Sequence, residues 1–261
     1  MNYLYYLREY FFPAGCGGCG ESLRGHVEAN YGLCGECRTL LESFFEGEKR
    51  CKICGKPLIS EKNTCLACRN KDGKKNSVYN EWFVQMKTFF PYMGKFRRIL
   101  GAYKFRKSLG IGNFLISFLH RALFAFCSES FEHDFAEKAA WVPVPPRPGK
   151  IKKQGWDQIE FLAGLLEKAY RNSRRKKVRI PPLKIPVNRC LERLPSRSQK
   201  ELNREERGTN LQGRIRCIKP PPGNAILFDD VITTGATLNE CAKALLEAGS
   251  EKVYGVCLFY D

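Results

Sequence analysis

From about Val78 onward two kinds of apolar period alternate along the chain. Helical spacing runs through 95–106, 111–127, 156–170 and 236–248. Short apolar runs at AWVPVP (140–145), near LKIPVNRC (183–190), at AILFDD (225–230) and at KVYGVCLFY (252–260) predict strands. Strands separated by helices argue for an α/β domain with a mostly parallel sheet covered on both faces. The stretch IGNFLISFLHRALFAFC (111–127) is about as long as one bilayer crossing, but His120 and Arg121 interrupt it. It reads as a buried helix, and no membrane span is expected. The opening MNYLYYLREYFFPAG mixes acid and base among its apolar residues and predicts a short amphipathic helix rather than a signal peptide.

Polar composition divides the chain. RNKDGKKNS (69–77) reads as a linker, so residues 1–72 are expected to form a small cysteine-rich amino-terminal domain and residues 73–261 the α/β domain. Within the larger part, RNSRRKKVRIPP (171–182) reads as a solvated loop, with a nucleic-acid or phosphate contact as the alternative. The 261 residues include 18 Phe and are 43% hydrophobic, enough for one good-sized core. A formal charge of +17 favours polyanionic partners: nucleic acid, phosphorylated ligands or acidic lipid.

Eight of the thirteen cysteines fall into four CxxC pairs: Cys16/Cys19, Cys34/Cys37, Cys51/Cys54 and Cys65/Cys68. Two thiolates at this spacing can grip one face of a tetrahedral Zn²⁺ from a tight turn. The pairs also repeat, CGGCG then CGECR, CKICG then CLACR, which predicts two zinc ribbons. Sequential pairing gives two structural sites, 16/19/34/37 and 51/54/65/68; cross-bracing of the first pair with the third and the second with the fourth also satisfies the spacing. Cys127, Cys190, Cys217 and Cys241 are scattered singly, as buried thiols of a reducing compartment are, and a cytoplasmic protein is expected.

The second chemical signal is AILFDDVITTGATLNE (225–240). A central strand would deliver Asp229 and Asp230 to its carboxyl end, where ligands of open α/β sheets sit. Thr233, Thr234, Gly235, Ala236 and Thr237 then supply hydroxyls and exposed N–H groups at a helix start, which is an anion socket. Acids beside such a socket repel a bare phosphate, so the ligand must also present hydroxyls or a cation. A ribose 5-phosphate unit does so: its diol donates to Asp229 and Asp230 while its phosphate takes the loop. Neither GxxxxGK[ST] nor GxGxxG after a strand is present, and Val231 follows the acids where an aspartyl-phosphate hydrolase would need a different spacing. Strand-end acids in an ordinary turn are the bland alternative.

ILFDDVITTGAT resembles the phosphoribosyl pyrophosphate signature of type I phosphoribosyltransferases, and the whole chain resembles the ComF competence family. AYKFRKSLG (102–110), WVPVPPRPGKIKKQGWDQ (141–158) and SRSQKELNREERGTNLQG (196–213) match it as well. The resemblance implies a double zinc ribbon joined to a phosphoribosyltransferase-like domain. It assigns ribose binding to Asp229 and Asp230, the 5-phosphate to Thr233–Thr237, and pyrophosphate-facing positions to Arg147 and Lys150. Ser198, Gln199, Arg204, Arg207 and Asn210 match the family's polar segment. Where members commonly carry Arg-Gly-Phe-Asn-Gln, this chain has Gln154, Gly155, Trp156, Asp157 and Gln158, one arginine fewer. The implied function is assistance in handling or importing single-stranded DNA during natural transformation. The implied ligand is phosphoribosyl pyrophosphate with Mg²⁺; the implied partners are single-stranded DNA and competence-machinery proteins. The alternative is an active phosphoribosyltransferase on an unidentified base or amine, for which no acceptor pocket is recognisable in the sequence.

Overall fold

The computed structural model describes residues 14–46, 49–51, 53–58, 60–68, 82–129, 135–175, 185–195 and 213–261. The expected amino-terminal helix, the 69–77 linker with the 72/73 boundary, and nearly all of 196–213 lie outside the described residues.

Two short helices open the described chain, α1 (Gly25–Tyr31) and α2 (Gly35–Glu46). The α/β part follows as β1 (Gln85–Pro91), α3 (Gly94–Arg106), α4 (Leu109–Glu129), α5 (Phe135–Lys138), β2 (Ala139–Pro143), α6 (Lys150–Gln154) and α7 (Gln158–Arg175). It closes with β3 (Leu191–Arg193), β4 (Ile215–Cys217), β5 (Asn224–Ile232), α8 (Ala236–Glu247) and β6 (Lys252–Tyr260). The main sheet has the order β1-β6-β5-β2 and is parallel throughout. The expected α/β class with a parallel sheet is therefore what forms.

Several elements differ from the sequence expectation, among them the short β3 and β4, which pair antiparallel with each other. β1 was not foreseen, because QMKTFFP has neither clean alternation nor a long apolar run, and its strand form comes from pairing with β6. The expected strand near 183–190 touches β2 through a single bridge, Trp141 to Val187, flanked by two backbone hydrogen bonds. Pro186 cannot donate to a longer ladder. Of the loop expected at 171–182, residues 171–175 belong to α7 and 176–182 lie outside the described residues.

Alternate side chains of the strands feed two cores. On one face Ile226 and Phe228 of β5, Trp141 of β2 and Phe89 of β1 pack under α3, α4 and α7. On the other, Ala225, Leu227 and Val142 meet Leu238, Cys241, Ala242 and Leu245, the apolar stripe of α8. α4 is long and apolar enough to cross a membrane, yet Ile111, Leu115, Phe118, Leu119, Leu123 and Phe126 place one stripe of it in the first core. Each such buried large side chain contributes about 1.5–3 kcal/mol.

Among the described residues the cysteine-rich part packs its apolar side chains into the cores of the α/β part. Leu33 and Leu41 are fully buried among Ile99, Ile111 and Phe118. At Gly110 the start of α4 runs against the turn after α1 so closely that a Cβ would lie 2.7 Å from the Asn30 carbonyl oxygen. The second cysteine group leans on the sheet edge: the Met86 N–H donates to the Ile53 carbonyl at 3.1 Å, and the Thr88 hydroxyl to the Cys54 carbonyl at 3.0 Å.

Candidate functional site

The eight CxxC cysteines gather sequentially, Cys16, Cys19, Cys34 and Cys37 in one group and Cys51, Cys54, Cys65 and Cys68 in the other. Within each group the sulfurs lie within 4.8 Å of one another, which resolves the pairing against cross-bracing. The Cys19–Cys34 and Cys54–Cys65 sulfurs are 3.6 and 3.7 Å apart. A tetrahedron with Zn–S bonds of about 2.3 Å has edges of about 3.8 Å, so the donor sets fit zinc. The Gly18 and Cys34 N–H groups point at Cys16 Sγ from 3.4 and 3.3 Å, as amides do toward a thiolate. Burial and then the neighbouring Cys16 push the Cys37 thiol up. Four ionised sulfurs at this separation are tenable only around a cation.

The acid pair sits at the carboxyl end of central strand β5. Asp230 is 3% exposed, while Asp229 opens onto a cavity of about 260 Å³. That cavity is lined by Arg147, Asp229 and residues 231–238, so Thr233, Thr234, Gly235, Ala236 and Thr237 all border it. Gly235 caps α8 with φ +76°, a left-handed conformation open to glycine at low cost, and its carbonyl accepts from Asn239 at 2.9 Å. The first-turn N–H groups of α8 have no intrahelical acceptors, and that of Ala236 donates to Thr234 Oγ1 at 3.4 Å.

Below the cavity runs a chain of polar contacts. Lys104 Nζ pairs with Asp230 Oδ2 at 2.8 Å, and Gln158 Nε2 donates to the same oxygen at 2.7 Å. Lys150 Nζ reaches Gln158 Oε1 and Asp157 Oδ2, each at 2.5 Å. Asp157 Oδ1 accepts from the Ile159 and Glu160 N–H groups and so caps α7. Lys150 thus meets the acid pair only through Gln158 and does not line the cavity, whereas Arg147 does. Burial, and then the charge of Asp230, push the Asp229 carboxyl well above the usual carboxylate range. Burial works against the Lys104 charge, but the Asp230 carboxylate more than offsets it. Arg193 on β3 is 8% exposed, and its Nε and Nη2 have no hydrogen-bond partner among the described residues. Burial and then the Arg147 charge lower its affinity for a proton.

Comparison with known proteins places this arrangement. Residues 7–69 match the double zinc ribbon domain. The chain is 29% identical over 224 residues to Competence protein ComFC of Streptococcus pneumoniae, covering 85% of this chain and 84% of the relative. It is 26% identical over 247 residues to Competence protein F of Haemophilus influenzae, covering 93% and 95%. Competence protein ComFC of Bacillus subtilis is also 26% identical over 219 residues, covering 83% and 79%. Over most of its length the chain is similar to the ComF competence proteins.

The structure brings Asp229, Arg147 and the 233–237 loop around one cavity, with Asp230 buried beside it against Lys104 and Gln158, while Ser198, Gln199, Arg204, Arg207 and Asn210 lie outside the described residues. Sequence reasoning missed Lys104 and Arg193 as parts of the site. Lys104 lay inside AYKFRKSLG, a stretch matched to the family, but nothing in its spacing says that it reaches Asp230 from another element. A Mg²⁺ held together with a pyrophosphate would need only one or two carboxylates from the chain, and Asp229 is the one that lines the cavity. Among the described residues only the two cysteine groups bring three or more ligand atoms together, and Asp230 Oδ2 already holds an ammonium and an amide.

Proposed function

We propose that this chain binds a 5-phosphoribosyl ligand, phosphoribosyl pyrophosphate being the form that uses the whole cavity, and that it assists cytoplasmic handling or import of single-stranded DNA in natural transformation. The observation that carries the ligand reading is the single cavity bordered on one side by Asp229 and on the other by Arg147 and the Thr233–Thr237 turn at the start of α8. A diol meets acids and a phosphate meets amides, hydroxyls and a guanidinium, all within one small space. Calorimetry with phosphoribosyl pyrophosphate and Mg²⁺ is expected to show binding by the parent, weakened about 10- to 100-fold in Asp230→Asn, the loss of hydrogen bonds to a charged group. Equal affinity of the two proteins would remove the reading.

The DNA reading is supported by the relatives' names and by the surface beside the acid pair. Phe105 is 77% exposed, with Arg106, Lys107, Lys152 and Lys153 exposed around the same end of the site. Lys107 Nζ reaches across to the Gln154 carbonyl at 2.9 Å, which joins the two basic segments. An exposed ring among cations is how sequence-tolerant single-strand sites are built, by stacking and phosphate contacts. If these four cations each meet one phosphate, log affinity for an oligothymidine falls against log salt with a slope of about −3. Lys107→Gln/Lys152→Gln is expected to flatten that slope by about half; an unchanged slope would place the DNA elsewhere on the molecule.

A further inference from the structure

Two adjacent carboxylates beside a phosphate socket repel the ligand that the socket would take, and a divalent cation is the usual remedy. Here the remedy is already part of the chain. We infer that Lys104 is the built-in counter-cation of the acid pair, so that the ribose 5-phosphate half of a phosphoribosyl ligand docks without a divalent metal; this rests on the phosphoribosyl reading above.

Lys104 is held in place by its surroundings. Its side chain is 23% exposed and its Nζ is 2.8 Å from Asp230 Oδ2. The neighbouring Tyr103 is fully buried and its hydroxyl donates to the Gln158 carbonyl at 2.6 Å, which fixes α3 against the start of α7. Gln158 Nε2 then shares Asp230 Oδ2 with the lysine. Both donors crowd one carboxylate oxygen, and among the described residues Asp230 Oδ1 accepts no hydrogen bond. That oxygen is left for a sugar hydroxyl.

The charge balance agrees. Lys104, Lys150, Arg147 and Arg193 surround the acids Asp157, Asp229 and Asp230, so cations outnumber carboxylates before any ligand or metal arrives. The buried guanidinium of Arg193, unpartnered at two nitrogens among the described residues, adds a positive field behind the loop. An incoming phosphate dianion therefore meets net positive charge supplied by side chains alone.

The test uses the full chain and ribose 5-phosphate as the probe, titrated calorimetrically in resin-treated magnesium-free buffer and again with added Mg²⁺, with zinc content measured in both. The parent is expected to bind equally well, within about threefold, in the two buffers. Lys104→Gln is expected to lose about tenfold or more without Mg²⁺ and to recover part of it with Mg²⁺, while Lys104→Arg stays within about threefold of the parent. Melting curves show whether each variant is folded. A parent that binds only with Mg²⁺, or a folded Lys104→Gln that matches the parent without it, overturns the inference and leaves the phosphoribosyl reading standing. No binding by the parent in either buffer removes that reading and the inference together.

Discussion

Stripping the metal from the two cysteine groups is expected to unfold far more than the first 70 residues. Structural zinc in small Cys₄ or Cys₂His₂ units carries an apparent binding free energy of about 10–16 kcal/mol, comparable with the whole stability of a domain, about 5–15 kcal/mol. In many proteins a ribbon could be lost while the rest stays folded. Here Leu33 and Leu41 are buried in the same core as Phe89, Ile99, Ile111 and Phe118, and Cys51, Cys54, Cys65 and Cys68 sit in the same cluster as Met86, Val142 and Leu227. Removing either ribbon therefore exposes apolar core side chains beside β1 to water. The protein as isolated is expected to hold two zinc ions, and a strong chelator should abolish the cooperative thermal transition seen by near-ultraviolet circular dichroism. Cys54→Ser, at a fully buried ligand, should do the same without chelator. A chelated protein that keeps its transition would show that the sheet stands without the ribbons.

The same shared core explains what could and could not be read from the sequence. The cysteine pairs and the acid pair with its threonine loop were legible because each packs its chemistry into a short run: ligands two residues apart, acids adjacent, hydroxyls in the following turn. Helices α3, α4 and α8 were legible because one stripe of each is apolar at the helical period. What was not legible depends on partners distant in sequence. β1 is a strand because β6 lies beside it, with Thr88 opposite Cys257. Lys104 belongs to the site because α3 brings it to Asp230, more than a hundred residues later. The expected strand before β3 is reduced to one bridge among the described residues, where Pro186 cannot donate to a ladder against β2. Arg193 looked like one more surface charge in a basic chain and is buried within reach of the charges of Arg147 and Asp229.

Arg50 shows how much a single such residue can hold. In KRCKICG it reads as an ordinary solvated charge ahead of a zinc knuckle, yet its guanidinium joins three segments of the fold. Nη1 donates to the carbonyls of Gly55 at 3.0 Å and Thr88 at 2.9 Å; Nη2 donates to Phe44 at 3.3 Å and Phe89 at 3.2 Å. The rings of Phe44 and Phe45 lie 5.8 and 5.2 Å from its central carbon. One planar cation thus ties the end of α2, the first knuckle of the second ribbon and β1. Arg50→Met keeps much of the apolar contact but withdraws the donors from four carbonyl groups, and a group left without its partner costs about 1–3 kcal/mol. With partial relief by water, the expected loss is about 3–5 kcal/mol, a fall of about 10 °C or more in melting temperature for a chain of this size. Arg50→Lys should recover only part of it, because an ammonium is a point donor and cannot span the fork. Since Arg50 precedes Cys51, Arg50→Met should also release zinc faster to a chromogenic chelator, in a phase confined to one of the two ions. A variant within about 1 kcal/mol of the parent, with unchanged zinc release, would mean that water replaces the guanidinium at the sheet edge and that the second ribbon is held there by its metal and its apolar contacts alone.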